Sequence, residues 1–93
     1  MKGKKYNIKQ YKSGDIISVE IYTDYGIGTY MLEVIGLLKK DKKCSRYIVK
    51  RVGDNSSILY MIKLNNRNNT NNYITVPIYI NNFEYGSTIK IID

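Results

Sequence analysis

Apolar and polar residues alternate with period two along most of the chain, the spacing that turns one face of a β-strand inward and the other outward. Over residues 15–23, Ile17, Val19 and Ile21 fall on one side and Ser18 and Glu20 on the other. Asp24-Tyr25-Gly26-Ile27-Gly28 reads as a turn, because glycine accepts positive φ at little cost. Residues 29–38 resume strand character with Tyr30, Leu32 and Val34 inward. Their other face carries Met31, Ile35 and Leu37, which predicts cover on both sides, and Gly36 predicts a bulge or bend.

Residues 39–45 (KKDKKCS) form a polar loop, followed by a strand over 46–52 through Tyr47, Ile48 and Val49. A turn at 53–57 leads to a strand over 58–64, with Ile58, Tyr60, Ile62 and Leu64 on one face. The run Asn65–Asn72 (NNRNNTNN) is low in complexity and predicts a flexible loop. The clearest alternation covers 73–80: Ile74, Val76, Ile78 and Ile80 oppose Tyr73, Thr75, Pro77 and Tyr79. Pro77 has no N–H for a ladder, so this strand is expected at a sheet edge or bent. A turn at 81–86 and a last strand over 87–92, with Ile89 and Ile91 inward, close the pattern; residues 5–9 have the material for a short extra strand through Tyr6 and Ile8. No stretch of ten residues carries a helical stripe. The expected fold is a single all-β domain over residues 1–93, a small barrel or meander of five to seven antiparallel strands.

Tyr11-Lys12-Ser13-Gly14-Asp15-Ile16-Ile17-Ser18-Val19 resembles the opening turn and strand of many SH3-like small barrels, which makes that topology the favoured one, with OB-like and swapped-hairpin arrangements as alternatives. Val49-Lys50-Arg51-Val52-Gly53-Asp54-Asn55-Ser56 and Ile74-Thr75-Val76-Pro77 are similar to pieces of AbrB/MazE-type swapped-hairpin DNA-binding proteins. The Asn-rich insertion between the two pieces departs from that family's spacing.

Composition narrows the chemistry. The 93 residues include no His and one Cys, so neither a His-based nucleophilic site, nor a disulfide framework, nor a Cys-rich zinc site can be assembled. The carboxylates are scattered without paired spacing. The expectation is a non-catalytic protein without cofactor or metal. The basic residues 1–5 are not followed by an apolar segment, so no leader is expected there, and their lysines either join the basic end or form a mobile arm; with no membrane segment and a lone thiol, Cys44, the expected setting is cytoplasmic and reducing. The net charge is +7, yet Ile, Lys, Asn and Tyr together make 47 of 93 residues and Lys outnumbers Arg by 12 to 3. A/T-rich codons would produce that bias by themselves, so placement of the charges has to carry the argument.

In an antiparallel meander successive turns alternate between the two ends of the sheet. The segments at 9–14, 39–45 and 65–72 then share one end, which gathers Lys9, Lys12, Lys39, Lys40, Lys42, Lys43 and Arg67, with Arg46 adjoining. The turns at the other end hold Asp24, Asp54 and Glu84 without Lys or Arg. A basic pole of this kind is expected to bind DNA or RNA through phosphates with little sequence specificity, Tyr11 and Tyr47 offering rings to unpaired bases. The alternative is a small protein-interaction module, such as a viral or mobile-element accessory factor. That module would bind a protein partner, or a second copy of itself, through an aromatic edge strand bearing Tyr73, Thr75, Pro77 and Tyr79.

Overall fold

A computed structural model describes residues 10–53, 58–76 and 86–92. The chain forms six strands: β1 (Ile16–Thr23), β2 (Gly26–Lys40), β3 (Cys44–Arg51), β4 (Tyr60–Asn65), β5 (Asn72–Thr75) and β6 (Ser87–Ile91). Each pairs antiparallel with its neighbour in sequence, and β6 returns to β1, so the sheet closes into a barrel. This is an up-and-down meander rather than an OB-type Greek key, and it closes within one chain rather than by hairpin exchange.

The alternation read from the sequence is what fills the barrel. Ile17 and Val19 of β1, Leu32 and Val34 of β2, Tyr47 and Val49 of β3, Ile62 and Leu64 of β4, Ile74 of β5, and Ile89 and Ile91 of β6 form one buried cluster. Complete burial of each such side chain is worth about 1.5–3 kcal/mol. Tyr11, Ile21, Tyr30 and Tyr60 pack on its margins.

Local chemistry sets the corners. The β1–β2 hairpin has a two-residue loop, Asp24-Tyr25, because Gly26 adopts φ 132° and can already pair with Thr23. β2 therefore starts at Gly26, earlier than the apolar pattern predicts. Register shifts between Val34 and Gly36 and between Leu37 and Lys39 bend β2, the first of them at the glycine expected to mark a bulge. The β2–β3 ladder continues beyond the last β1–β2 pair, Ile16 and Glu33, and the connection shrinks from the expected seven-residue loop to residues 41–43.

Three expectations are corrected. Met31, Ile35 and Leu37 are not covered: they are exposed, Met31 in the stretch paired with β1 and Ile35 and Leu37 beyond the last pair of β2 with β1. Ile58 is exposed and precedes β4 instead of sharing its inward face. Tyr73 and Thr75 do not lie on an edge strand, since β5 is hydrogen-bonded to β4 on one side and to β6 on the other, and Thr75 is buried. Pro77 and Tyr79, like Lys9 and the basic arm at 1–5, lie outside the described residues. Among the described residues no helix is long and apolar enough to cross a membrane.

Candidate functional site

Three connections meet at one end of the barrel. The Asn66 backbone N–H donates to the Lys43 carbonyl at 2.7 Å, and the Asn66 side-chain amide donates to the Asp41 carbonyl at 2.8 Å. The Ser45 hydroxyl donates to Asn66 Oδ1 at 3.0 Å, and Lys40 Nζ donates to Gln10 Oε1 at 2.9 Å. The incoming chain, the β2–β3 tip and the β4–β5 connection are thus tied together. Lys12, Lys39, Lys40, Lys42, Lys43 and Arg67 are all exposed here, as the alternation of turns requires.

Asp41 organises the tip. Its Oδ1 accepts the backbone N–H groups of Lys43 and Cys44, each at 2.8 Å. Those two bonds, helped by the charges of Lys39 and Arg46, hold its carboxyl below the ordinary value against the opposing effect of desolvation. Asp41, Lys42, Lys43, Cys44, Arg46 and Lys63 line an open depression of about 400 Å³.

Lys63 is the residue that sequence reading missed. It lies on β4 between the inward-facing Ile62 and Leu64, so it projects outward. Its cross-strand partner on β3 is Arg46, and the partner of Arg46 on β2 is Lys39. Three cations therefore stand side by side across three strands. The register treats charge differently elsewhere on the wall: Glu33 is opposite Lys50, with Nζ and Oε1 at 3.7 Å, and Glu20 is opposite Lys90.

The tyrosines nominated as stacking platforms have another role. Tyr47 is 0% exposed and points into the barrel, where its inward phase on β3 requires it to be. Tyr11 packs on it edge-to-face, with ring centroids 5.8 Å apart, and donates its backbone N–H to the Tyr47 hydroxyl at 3.3 Å. Together they plug the mouth at the end that carries the basic loops, so Tyr47 cannot meet a base.

The Asn-rich connection carries its own bonding network. Asn72 is buried, and its Oδ1 accepts the Asn65 N–H at 2.7 Å while its amide donates to Asn69 Oδ1 at 2.9 Å. Asn69 also bonds both backbone groups of Ile91, accepting at 3.0 Å and donating at 2.7 Å. Asn71 takes the left-handed conformation, φ 58°, that asparagine tolerates best among residues with a side chain.

The opposite mouth holds a cavity of about 280 Å³ lined by residues from every strand, among them Ile21, Tyr30, Arg51, Tyr60, Ile74 and Ser87. The Arg51 guanidinium lies over the Tyr30 ring, 4.7 Å from its centroid. This end is therefore not free of cations: Asp24 is exposed there, whereas Asp54 and Glu84 lie outside the described residues. Among the described residues no group of three His, Cys, Asp or Glu side chains is placed to hold a metal.

Fold and site together define a closed six-stranded meander barrel with a cationic flank at one end. No family model matches the chain, and no match was found among curated proteins or solved structures.

Proposed function

We propose that this protein binds nucleic acid without catalysis, through phosphate contacts on the flank around Lys39, Arg46 and Lys63, with little sequence specificity. The observation that carries the reading is the like-charged row across β2, β3 and β4. Like charges directly opposite on a sheet destabilise it, whereas opposite charges contribute roughly 0.2–1 kcal/mol. The fold pairs Glu33 with Lys50 and Glu20 with Lys90 elsewhere, whereas here it sets three cations side by side near Asp41, a density of positive charge that suits a polyanion. Codon bias raises lysine everywhere, but it does not account for an arginine in the middle of the row; Arg is the side chain whose planar fork fits phosphate.

A titration against DNA and RNA oligonucleotides over a salt series tests this. Three to five phosphate contacts predict a log–log slope of about −2 to −4. A slope near zero, or no binding at low salt, removes the reading.

A protein-partner reading rests on a different surface from the one the sequence suggested. β2 exposes four large apolar side chains, Met31, Ile35, Leu37 and Leu38, along its length. A salt-insensitive complex with a protein, lost on Leu37→Ser, would favour it.

A further inference from the structure

The cationic row does not stop at Lys63. In register, Lys63 is opposite Tyr73 on β5, Tyr73 is opposite Thr88 on β6, and Thr88 is opposite Tyr22 on β1. Continuing once round the barrel, Tyr22 is opposite Ile27, twelve residues from Lys39 along β2. The stagger of a closed barrel thus turns this row into a spiral on the outer wall. Cations occupy its first half, and Tyr73, Thr88 and Tyr22 its second.

The second half opens into another depression, of about 410 Å³, lined by Tyr22, Asn69, Thr70, Asn71, Thr88 and Lys90. Tyr22 and Tyr73 are half-buried on the outer wall, unlike Tyr47. The Tyr22 hydroxyl donates to Glu20 Oε1 at 2.8 Å, which fixes the ring and keeps its hydroxyl protonated. Asn69 spends its amide on Ile91 and Asn72, and the Thr70 hydroxyl is bonded to Asn68. Asn71, Thr88 and Lys90 add polar groups to the depression, and the Tyr22 ring face can serve any base.

We propose that the spiral takes an unpaired strand: phosphates on Lys39, Arg46 and Lys63, and the next bases against Tyr73 and Tyr22. This rests on the nucleic-acid reading above and names its ligand class as single-stranded. Five inter-strand spacings of about 4.8 Å make a path of about 24 Å, which suits a site of about four nucleotides. A duplex keeps its bases stacked inside the helix and can use only the cationic half.

The test is fluorescence anisotropy with labelled oligo-dT and oligo-rU of eight nucleotides, a duplex of equal length, and an eight-site abasic strand of the same charge. The expected result is at least tenfold tighter binding of the single strands than of the duplex or the abasic strand. Tyr22→Leu with Tyr73→Leu should weaken oligo-dT at least fivefold, leave its salt slope unchanged, and leave abasic binding unchanged. The abasic arm separates lost stacking from a damaged fold, which would weaken every ligand. A preference for either sugar supports the path and identifies the strand. Equal affinity for oligo-dT, duplex and abasic strand overturns the path while phosphate binding stands; failure of the native protein to bind any oligonucleotide at low salt overturns both.

Discussion

Arg46 on β3 stands directly between Lys39 on β2 and Lys63 on β4 in the barrel register. If that row contacts a polyanion, each of its cations should contribute to the salt dependence of binding. Lys63→Gln and Arg46→Gln should each make the salt slope shallower by about 0.7–0.9, the loss of one phosphate contact. An unchanged slope in both variants would point to an ordinary structural role.

Asp41 makes a prediction about pH. Its folded-state pKa is depressed, so its contribution to stability is present above the unfolded carboxylate value of about 3.9 and is lost as pH falls through the lower folded value. The amide resonances of Lys43 and Cys44, whose N–H groups it accepts, should report that titration with a midpoint below the ordinary aspartate range. Asp41→Asn keeps an acceptor at the tip and removes an anion from the cationic depression. Oligonucleotide affinity should then rise severalfold at low salt.

The asparagine network ties the β4–β5 connection to β6 and should be costly to cut. Asn72→Ala leaves the Asn65 N–H without its acceptor, and Asn69→Ala does the same to Ile91. An orphaned backbone group in a buried setting costs about 1–3 kcal/mol. Urea denaturation should show losses of that size for both, against little change for the exposed Asn68→Ala.

Tyr47→Phe separates plug from platform. The substitution keeps the buried ring and removes only the hydroxyl that accepts the Tyr11 N–H. Stability should fall by about 1 kcal/mol, one ordinary hydrogen bond. Oligonucleotide affinity measured on the folded variant should stay at the native level.

Gly86 sits where the chain enters β6, and a Cβ there would stand 2.2 Å from the Ile74 carbonyl oxygen. The Ile74 carbonyl and the Thr75 Cβ, 3.0 Å away, leave nothing soft to yield. Gly86→Ala should destabilise by about 1–3 kcal/mol, as overpacked sites do, and should broaden the amide signals of the β5–β6 ladder. Ser87→Ala, which adds no atom, is the matched control.

Much of the architecture was legible because the forces behind it are local. Strand parity follows from which side of a two-residue repeat is apolar, so Ile17, Val19, Leu32, Val34, Ile62, Leu64, Ile89 and Ile91 could be named as inward from pattern alone. The sharing of one end by the lysine-bearing connections follows from the alternation of turns in a meander. Tyr47 was misread because its ring was judged by what a tyrosine can do instead of by its phase with Val49. The exposed faces of Met31 and Ile35 were misread because an outward apolar residue looks the same in sequence whether or not anything packs over it.

Alternation, glycine placement and charge spacing were enough to determine an all-β chain, its inward residues and the end that carries its basic loops, since each is a property of residues a few positions apart. Closure of β6 on β1, the bends in β2 and the alignment of Lys39, Arg46, Lys63, Tyr73 and Tyr22 were decided only in three dimensions. The reason is that ladder register is set by hydrogen bonds between distant segments. Sliding one strand by two residues keeps every side chain on its proper face yet gives each a new neighbour.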